Sequence, residues 1–352
     1  MLHRVEPSPA VLIRVRDPEL QAYLQQYSFA TGPDRDRNRR AFEAVRASIE
    51  VRRPSEAADV WRLPAAAGTL TPAELARVHA LAAGVGITRQ QLADATADYG
   101  WKMREVPRTA RKVFVIGCGA GPELLFLRTI LPDATIVAFD WRDQLFAGIA
   151  RATDVEFRAG NFMEGLAAPG ERADVIFSNH VLEHMFAPEA TLAVLLGRLQ
   201  AGGVLVSALP MEAMPEGPFT RAMLALAAHP ERLHALDLFW INAGHAWQTN
   251  PSDLRATVLG AGFSTCRLVQ REDFVSRFFP GPRADFERHR DRAQRAFELT
   301  FGAAERAAKA VRVKPSWLAL RLWFGLQARS RVGATKLRHD FAEEILLVAE
   351  RP

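Results

Sequence analysis

From Lys112 onward, short apolar runs alternate with stretches whose apolar positions recur three and four residues apart. The runs KVFVIG (112–117), TIVAFD (135–140), VEFRAG (155–160), DVIFSN (174–179) and VLVSAL (204–209) predict strands. PELLFLRTIL, RDQLFAGIAR and EATLAVLLGRLQ between them predict helices. Strands alternating with helices predict a parallel sheet covered on both faces. A further helix is expected over 251–261, with Asn250 as cap, Pro251 in the first turn and Gly262 as the stop. FSTCRLVQ (263–270) predicts a sixth strand, and EILLVAE (344–350) a last one. The long stretch between those two, 273–340, carries helical spacing and is expected to be a helical insertion.

Residues 1–105 carry a different pattern, irregular and helical, and are expected to form a helical extension or cap beside a main domain over 106–352. RNRRAFEAVRASIEV (37–51) has helical spacing, and 70–100 predicts two helices joined at Gly84 to Gly86. Thr71 or Thr69 would cap the first of them, with Pro72 in its first turn. The N-terminus lacks the apolar core of a signal peptide, and no run approaches the roughly 20 apolar residues that span a bilayer. A cytoplasmic protein is the expectation.

Two cysteines, Cys118 and Cys266, offer neither a disulfide framework nor a paired-thiolate metal spacing. The formal net charge of +5 is unevenly placed. Nine Lys and Arg residues and no Asp or Glu fall between Arg306 and His339, enough to reverse the sign of the whole. Within that segment KPSWLALRLWFGLQARSR is apolar nearly all round a helix. It fits a lid over an acceptor pocket, with a dimer contact as a further use, or an interfacial anchor on an anionic membrane. Nucleic acid is not the expected partner, because a basic patch arrives here without a recognition module.

The chemistry concentrates in GCGAGP, residues 117–122, which directly follows an apolar strand and opens a helix. Glycines let the backbone take φ values closed to other residues and approach a ligand closely. The dinucleotide fingerprint G-x-G-x-x-G would need its third glycine at Pro122, so that assignment is disfavoured. Gly117, Gly119 and Gly121 instead resemble the first motif of class I S-adenosylmethionine-dependent methyltransferases. IVAFD resembles the second motif, AGNFMEG the segment after strand three, ADVIFSNHVLEHM the fourth-strand motif of the VLEH subgroup, LQAGGVLVSALP the fifth strand and DLRATVLGAGF the helix before strand six. The resemblance covers roughly 110–270 and 341–352.

It implies an α/β, doubly wound Rossmann-like sheet of seven strands, mostly parallel with an antiparallel last strand. It implies S-adenosyl-L-methionine as cofactor, with Gly117, Cys118, Gly119 and Gly121 cradling it. Asp140 would meet the ribose hydroxyls, Trp141 the adenine face, and Asn161 or the Phe162 backbone the adenine edge, with Asn179 at the end of the fourth strand also among the cofactor-binding residues. One departure stands out: Val115 occupies the position where the family carries an acidic residue. Tyr99 and Trp101, just before the first strand of the domain, could reach the cofactor or join the seam under the sheet.

Methyl transfer needs a nucleophile held in line and water excluded, and an alcohol nucleophile also needs its proton removed. His180 and His245 are the candidates for contacting the acceptor or taking that proton. His180, Glu183 and His184 could also converge with His245 on a divalent metal, but shaping the start of the next helix is the simpler role, and no metal is expected. The acceptor implied is a small-molecule or glycan-type metabolite, methylated on oxygen. A binding protein without turnover, or a membrane-surface enzyme acting on a lipid-linked or quinone acceptor, are the alternatives. A homo-oligomer is compatible with all of these.

Overall fold

The computed structural model describes residues 2–5, 7, 10–13, 49–63, 70–164, 167–185, 187–211, 247–271 and 343–352. The N-terminal segment supplies strands β1 (Leu2–Val5), β2 (Ala10–Ile13), β3 (Ile49–Arg52) and β4 (Ala58–Leu63), then helices α1 (Pro72–Ala83) and α2 (Arg89–Tyr99). A 3-10 turn at Lys102–Glu105 leads to β5 (Lys112–Ile116), α3 (Pro122–Ile130), β6 (Thr135–Asp140), α4 (Ala147–Thr153) and β7 (Glu156–Ala159). Then come β8 (Ala173–Asn179), α5 (Pro188–Arg198), β9 (Leu199–Met211), β10 (Trp247–Gln248), α6 (Pro251–Gly260), β11 (Thr265–Arg271) and β12 (Glu343–Glu350).

The main sheet has nine strands in the order β1-β4-β11-β12-β9-β8-β5-β6-β7. Its inner part is the expected one, parallel from β9 through β8, β5 and β6 to β7, with β12 antiparallel between β11 and β9. The seven-stranded expectation is corrected by two strands from the N-terminal segment. There β4 adds parallel to β11, and β1 adds antiparallel to β4. That segment is thus not merely helical. ADVWRL alternates, burying Ala58 and Val60 and exposing Asp59 and Trp61, the period-two pattern of a strand with one covered face.

A second sheet, β10-β2-β3, is fastened beside α5 and α6 by a buried carboxylate. The Asp253 carboxylate accepts from the Trp247 indole at 3.0 Å and the Thr249 hydroxyl at 3.1 Å. It also pairs with the Arg52 guanidinium at 3.1 Å, which reaches Glu189 at 2.7 Å.

Strands β5, β6 and β8 are apolar almost throughout because both faces of the sheet are covered. Val113 and Val115 face a core shared with Val78 of α1, Leu92 of α2, Leu124 of α3 and Ile149 of α4. Phe114 and Ile116 face the opposite core, with Leu192 and Leu195 of α5 and Leu254 and Val258 of α6. The caps follow the sequence. Thr71 and Thr88 each close a capping box, and Asn250 accepts the Asp253 amide at 2.9 Å. Among the described residues no helix is long and apolar enough to cross a membrane. The insertion 273–340, the basic segment 306–339 and residues 37–48 lie outside the described residues.

Candidate functional site

The glycine turn stands at the carboxyl end of β5. The amides of Gly117 and Cys118 both donate to the Phe139 carbonyl, at 2.7 and 3.2 Å, which folds the turn across the end of β6. Gly117, Gly119 and Gly121 all have left-handed backbone, with φ of 67°, 53° and 87°. Their surroundings differ. A Cβ on Gly117 would stand 2.4 Å from Val181 Cγ2, and one on Gly121 2.4 Å from Leu145 Cδ1. Around Gly119 nothing lies within 4 Å of that point, so the middle of the turn borders open space.

Asp140 ends β6 and is buried. Its Oδ2 accepts the Gly119 amide at 2.7 Å, and its Oδ1 accepts the Arg142 amide at 3.0 Å and the Gln144 side-chain amide at 3.2 Å. One carboxylate therefore sets both the turn and the loop after β6. Trp141 beside it is 44% exposed, with the Arg142 guanidinium 3.9 Å from its ring centroid. Asn161 accepts the Met163 amide at 3.0 Å, and Phe162 packs its ring into the core against Phe139, centroids 4.9 Å apart. Cys118 is buried, and burial, then Glu123 and Asp140, push its thiol above the ordinary range.

The neighbouring strand brings up the rest. Ser178 pairs with Ile116, so Asn179 and His180 follow beside the turn. His180 is held in left-handed backbone (φ 56°) by its amide bond to Ala208 at 2.8 Å. Its Nδ1 lies 3.1 Å from Glu183 and its Nε2 3.4 Å from Glu344 at the start of β12. Burial works against the imidazolium, but the hydrogen bonds and charges of Glu183 and Glu344 prevail, and its pKa rises to about 10. Glu344 is held below the usual carboxylate range: burial opposes its charge, and Lys102 and His180 outweigh that.

Lys102 is the centre of this cluster and was not a sequence candidate. Its fully buried ammonium pairs with Asp98 at 2.8 Å, donates to Asn179 Oδ1 at 2.5 Å and pairs with Glu344. Asn179 in turn donates to the Tyr99 hydroxyl at 3.4 Å, while Trp101 is buried in the seam. Asp98 and Lys102 are four apart, a spacing visible in the sequence. Glu344 announces itself only as a charge at the head of an apolar strand.

The structure thus joins Gly117, Cys118, Gly119, Gly121, Asp140 and Trp141 at one strand edge, with Asn179 and His180 adjoining. His245 lies outside the described residues. His184 is exposed while Glu183 is buried, and among the described residues no three His, Cys, Asp or Glu side chains form a metal-holding group.

The family described as a methyltransferase domain matches residues 87–267. Among solved structures the chain is similar to Haemonchus contortus phosphoethanolamine N-methyltransferase 2. In complex with phosphomonomethylethanolamine and S-adenosylhomocysteine, that protein gives 12% identity and a TM-score of 0.43, covering 75% of this chain and 53% of that one. In complex with S-adenosyl-L-methionine it gives 11% and 0.43, covering 79% and 56%. An O-methyltransferase family protein from Burkholderia thailandensis gives 20% and 0.34, covering 54% and 55%. The chain spans about half the length of each of these three.

Proposed function

The chain belongs to the methyltransferase-domain family, and we propose that it is a class I enzyme that moves the methyl group of S-adenosylmethionine to a small-molecule or glycan-type acceptor, on oxygen. The observation that carries the cofactor reading is the clasp between Asp140 and the Gly119 amide. It holds a buried carboxylate against a glycine turn whose middle faces open space.

The residues present fit that cofactor. Asp140 uses three hydrogen bonds to the protein, which leaves acceptor capacity on its two oxygens for hydroxyl donors. Trp141 is 44% exposed beside it with Arg142 over its ring, and the Gly160 amide donates to the Asp140 carbonyl at 2.8 Å, which brings the chain leading into Asn161 and Phe162 to the same strand end. When bound, the cofactor supplies an electrophilic methyl group, and the protein's task is alignment and exclusion of water.

His180 suits positioning the acceptor better than taking its proton. Both ring nitrogens face carboxylates, and the charged imidazolium persists to about pH 10. The oxygen preference rests on the resemblance to the VLEH subgroup and on the two histidines, His180 and His245, that the sequence offers to an acceptor.

Calorimetric titration with S-adenosylmethionine, S-adenosylhomocysteine and NADH tests the reading. Binding of both sulfur nucleotides and not of NADH is expected. Binding of NADH alone would replace this reading with a dinucleotide enzyme. Methyl transfer from labelled cofactor to a panel of hydroxylated and aminated acceptors then tests the oxygen assignment.

A further inference from the structure

Glu123 is the second residue of α3, two positions beyond Gly121, and only 3% of it is exposed. Its carboxyl is held by its own backbone amide and makes no ion pair with any described residue. The groups whose charge reaches it are Asp98 of α2, Lys102 of the 3-10 turn, Asp140 of β6 and Cys118 in the turn itself. The other two helices against α3 contribute Val78, Ala82 and Ile149 to the shared core, and none of their ionisable side chains is buried.

Lys102 is the one cation in that set, and it is already engaged by Asp98, Glu344 and Asn179. His180 is engaged by Glu183 and Glu344. The carboxyl groups of Asp98, Glu123, Asp140, Glu183 and Glu344 therefore outnumber the two cations among them, and Glu123 is the one that neither cation pairs with nor several donors satisfy. A buried acid in such a field stays neutral until a positive charge arrives beside it.

We infer that Glu123 is a proton-linked carboxyl of the cofactor site: it holds a proton in the free protein and releases it to solvent when a cationic ligand settles against the glycine turn. The inference rests on the S-adenosylmethionine reading, whose sulfonium and ammonium supply that positive charge. Burial, reinforced by Asp98 and Asp140 and opposed by its own amide and by Lys102, moves Glu123 up to about 8. The free form is then mostly protonated at neutral pH, and affinity for the cation is reduced there by the cost of removing that proton. Anionic nucleotides such as NADH would leave the proton in place.

Calorimetric titration of S-adenosylmethionine at about pH 6.5, in buffers of different ionisation heat, counts the protons released. This pH keeps the cofactor's own amine charged, since α-amino groups titrate at about 7.7–8.0. About one proton released per cofactor is expected, with affinity tightening about tenfold per pH unit below the carboxyl's titration and levelling above it. Glu123→Gln should abolish both effects. Binding by the wild type with no proton release, or equal release from Glu123→Gln, overturns the inference and leaves the cofactor reading standing. Absence of binding by the wild type removes the cofactor reading instead. Carboxyl-carbon NMR of the free full-length protein, with the resonance assigned by its loss in Glu123→Gln, decides the matter independently of any ligand. A titration near 8 supports the inference, and one in the ordinary carboxylate range overturns it.

Discussion

At the scale of single residues, buried Asp140 bears on binding, and partly exposed His180 on how stability depends on pH. Asp140→Ala removes the acceptor of the Gly119 and Arg142 amides as well as the proposed ribose contact. It should weaken cofactor binding by about 1–3 kcal/mol, measured by calorimetry, because charge-assisted hydrogen bonds are lost. Asp140→Asn keeps the shape but not the charge, so an equal loss there would assign the effect to charge and a smaller loss to shape. His180 predicts a pH dependence of stability. Its folded pKa of about 10 lies above the unfolded value, so the folded state binds more protons across the interval. The stabilisation is fully present below about pH 6.5 and is lost as pH rises through about 10. Denaturant midpoints across that range should fall more steeply for the wild type than for His180→Asn, the difference lying mainly above about pH 8, where Glu123 has finished titrating. An equal fall in both would show that another group titrates. The half-exposed imidazole (37%) keeps the size of this effect below that of a fully buried pair.

At the scale of elements, the glycine turn separates two kinds of substitution. Gly117→Ala forces a side chain into left-handed backbone and onto Val181, so it should lower stability by upwards of about 1–2 kcal/mol in denaturant unfolding. Gly119→Ala carries the backbone cost alone, because its Cβ enters open space, and should instead lose cofactor affinity out of proportion to its stability. The reverse ranking would move the ligand-facing edge of the turn away from Gly119. This turn and the strands around it were legible in the sequence because everything that defines them is local. The apolar run, three glycines and a proline all fall within residues 112–122, and Asp140 closes a strand of its own. The strands of the N-terminal segment were not. β1, β2 and β3 are each four residues long, too short for period two to stand out, and β4 carries its alternation over only six. Their pairing with β11 and β10 bridges some of the longest separations in the chain, which no local pattern encodes.

At the scale of the whole molecule, the buried cluster around Lys102 joins parts that the sequence keeps far apart. Asp98 and Lys102 precede β5, Asn179 ends β8 with His180 and Glu183 just beyond it, and Glu344 is the second residue of the last strand. That cluster was invisible beforehand for a physical reason. Only the Asp98–Lys102 and His180–Glu183 spacings are local, and their meeting at Glu344 depends on β12 lying against β9, where Glu344 pairs with Pro210. Burying these charges is favourable only while each retains its partners. Lys102→Met would leave Asp98 and Glu344 without their shared cation in a site that excludes water, so it should cost about 3–5 kcal/mol in unfolding free energy. Lys102→Met combined with Glu344→Gln removes one of the stranded charges as well, and should recover part of that loss. Strict additivity of the two changes would mean that the pair is not coupled. Because Glu344 also faces His180, the double variant should lower the pH at which His180 loses its proton, detectable by imidazole NMR. Recovery of stability together with that shift would establish that the last strand sets the charge of the residue beside the glycine turn. An unmoved His180 titration would instead leave Glu183 as its sole determinant.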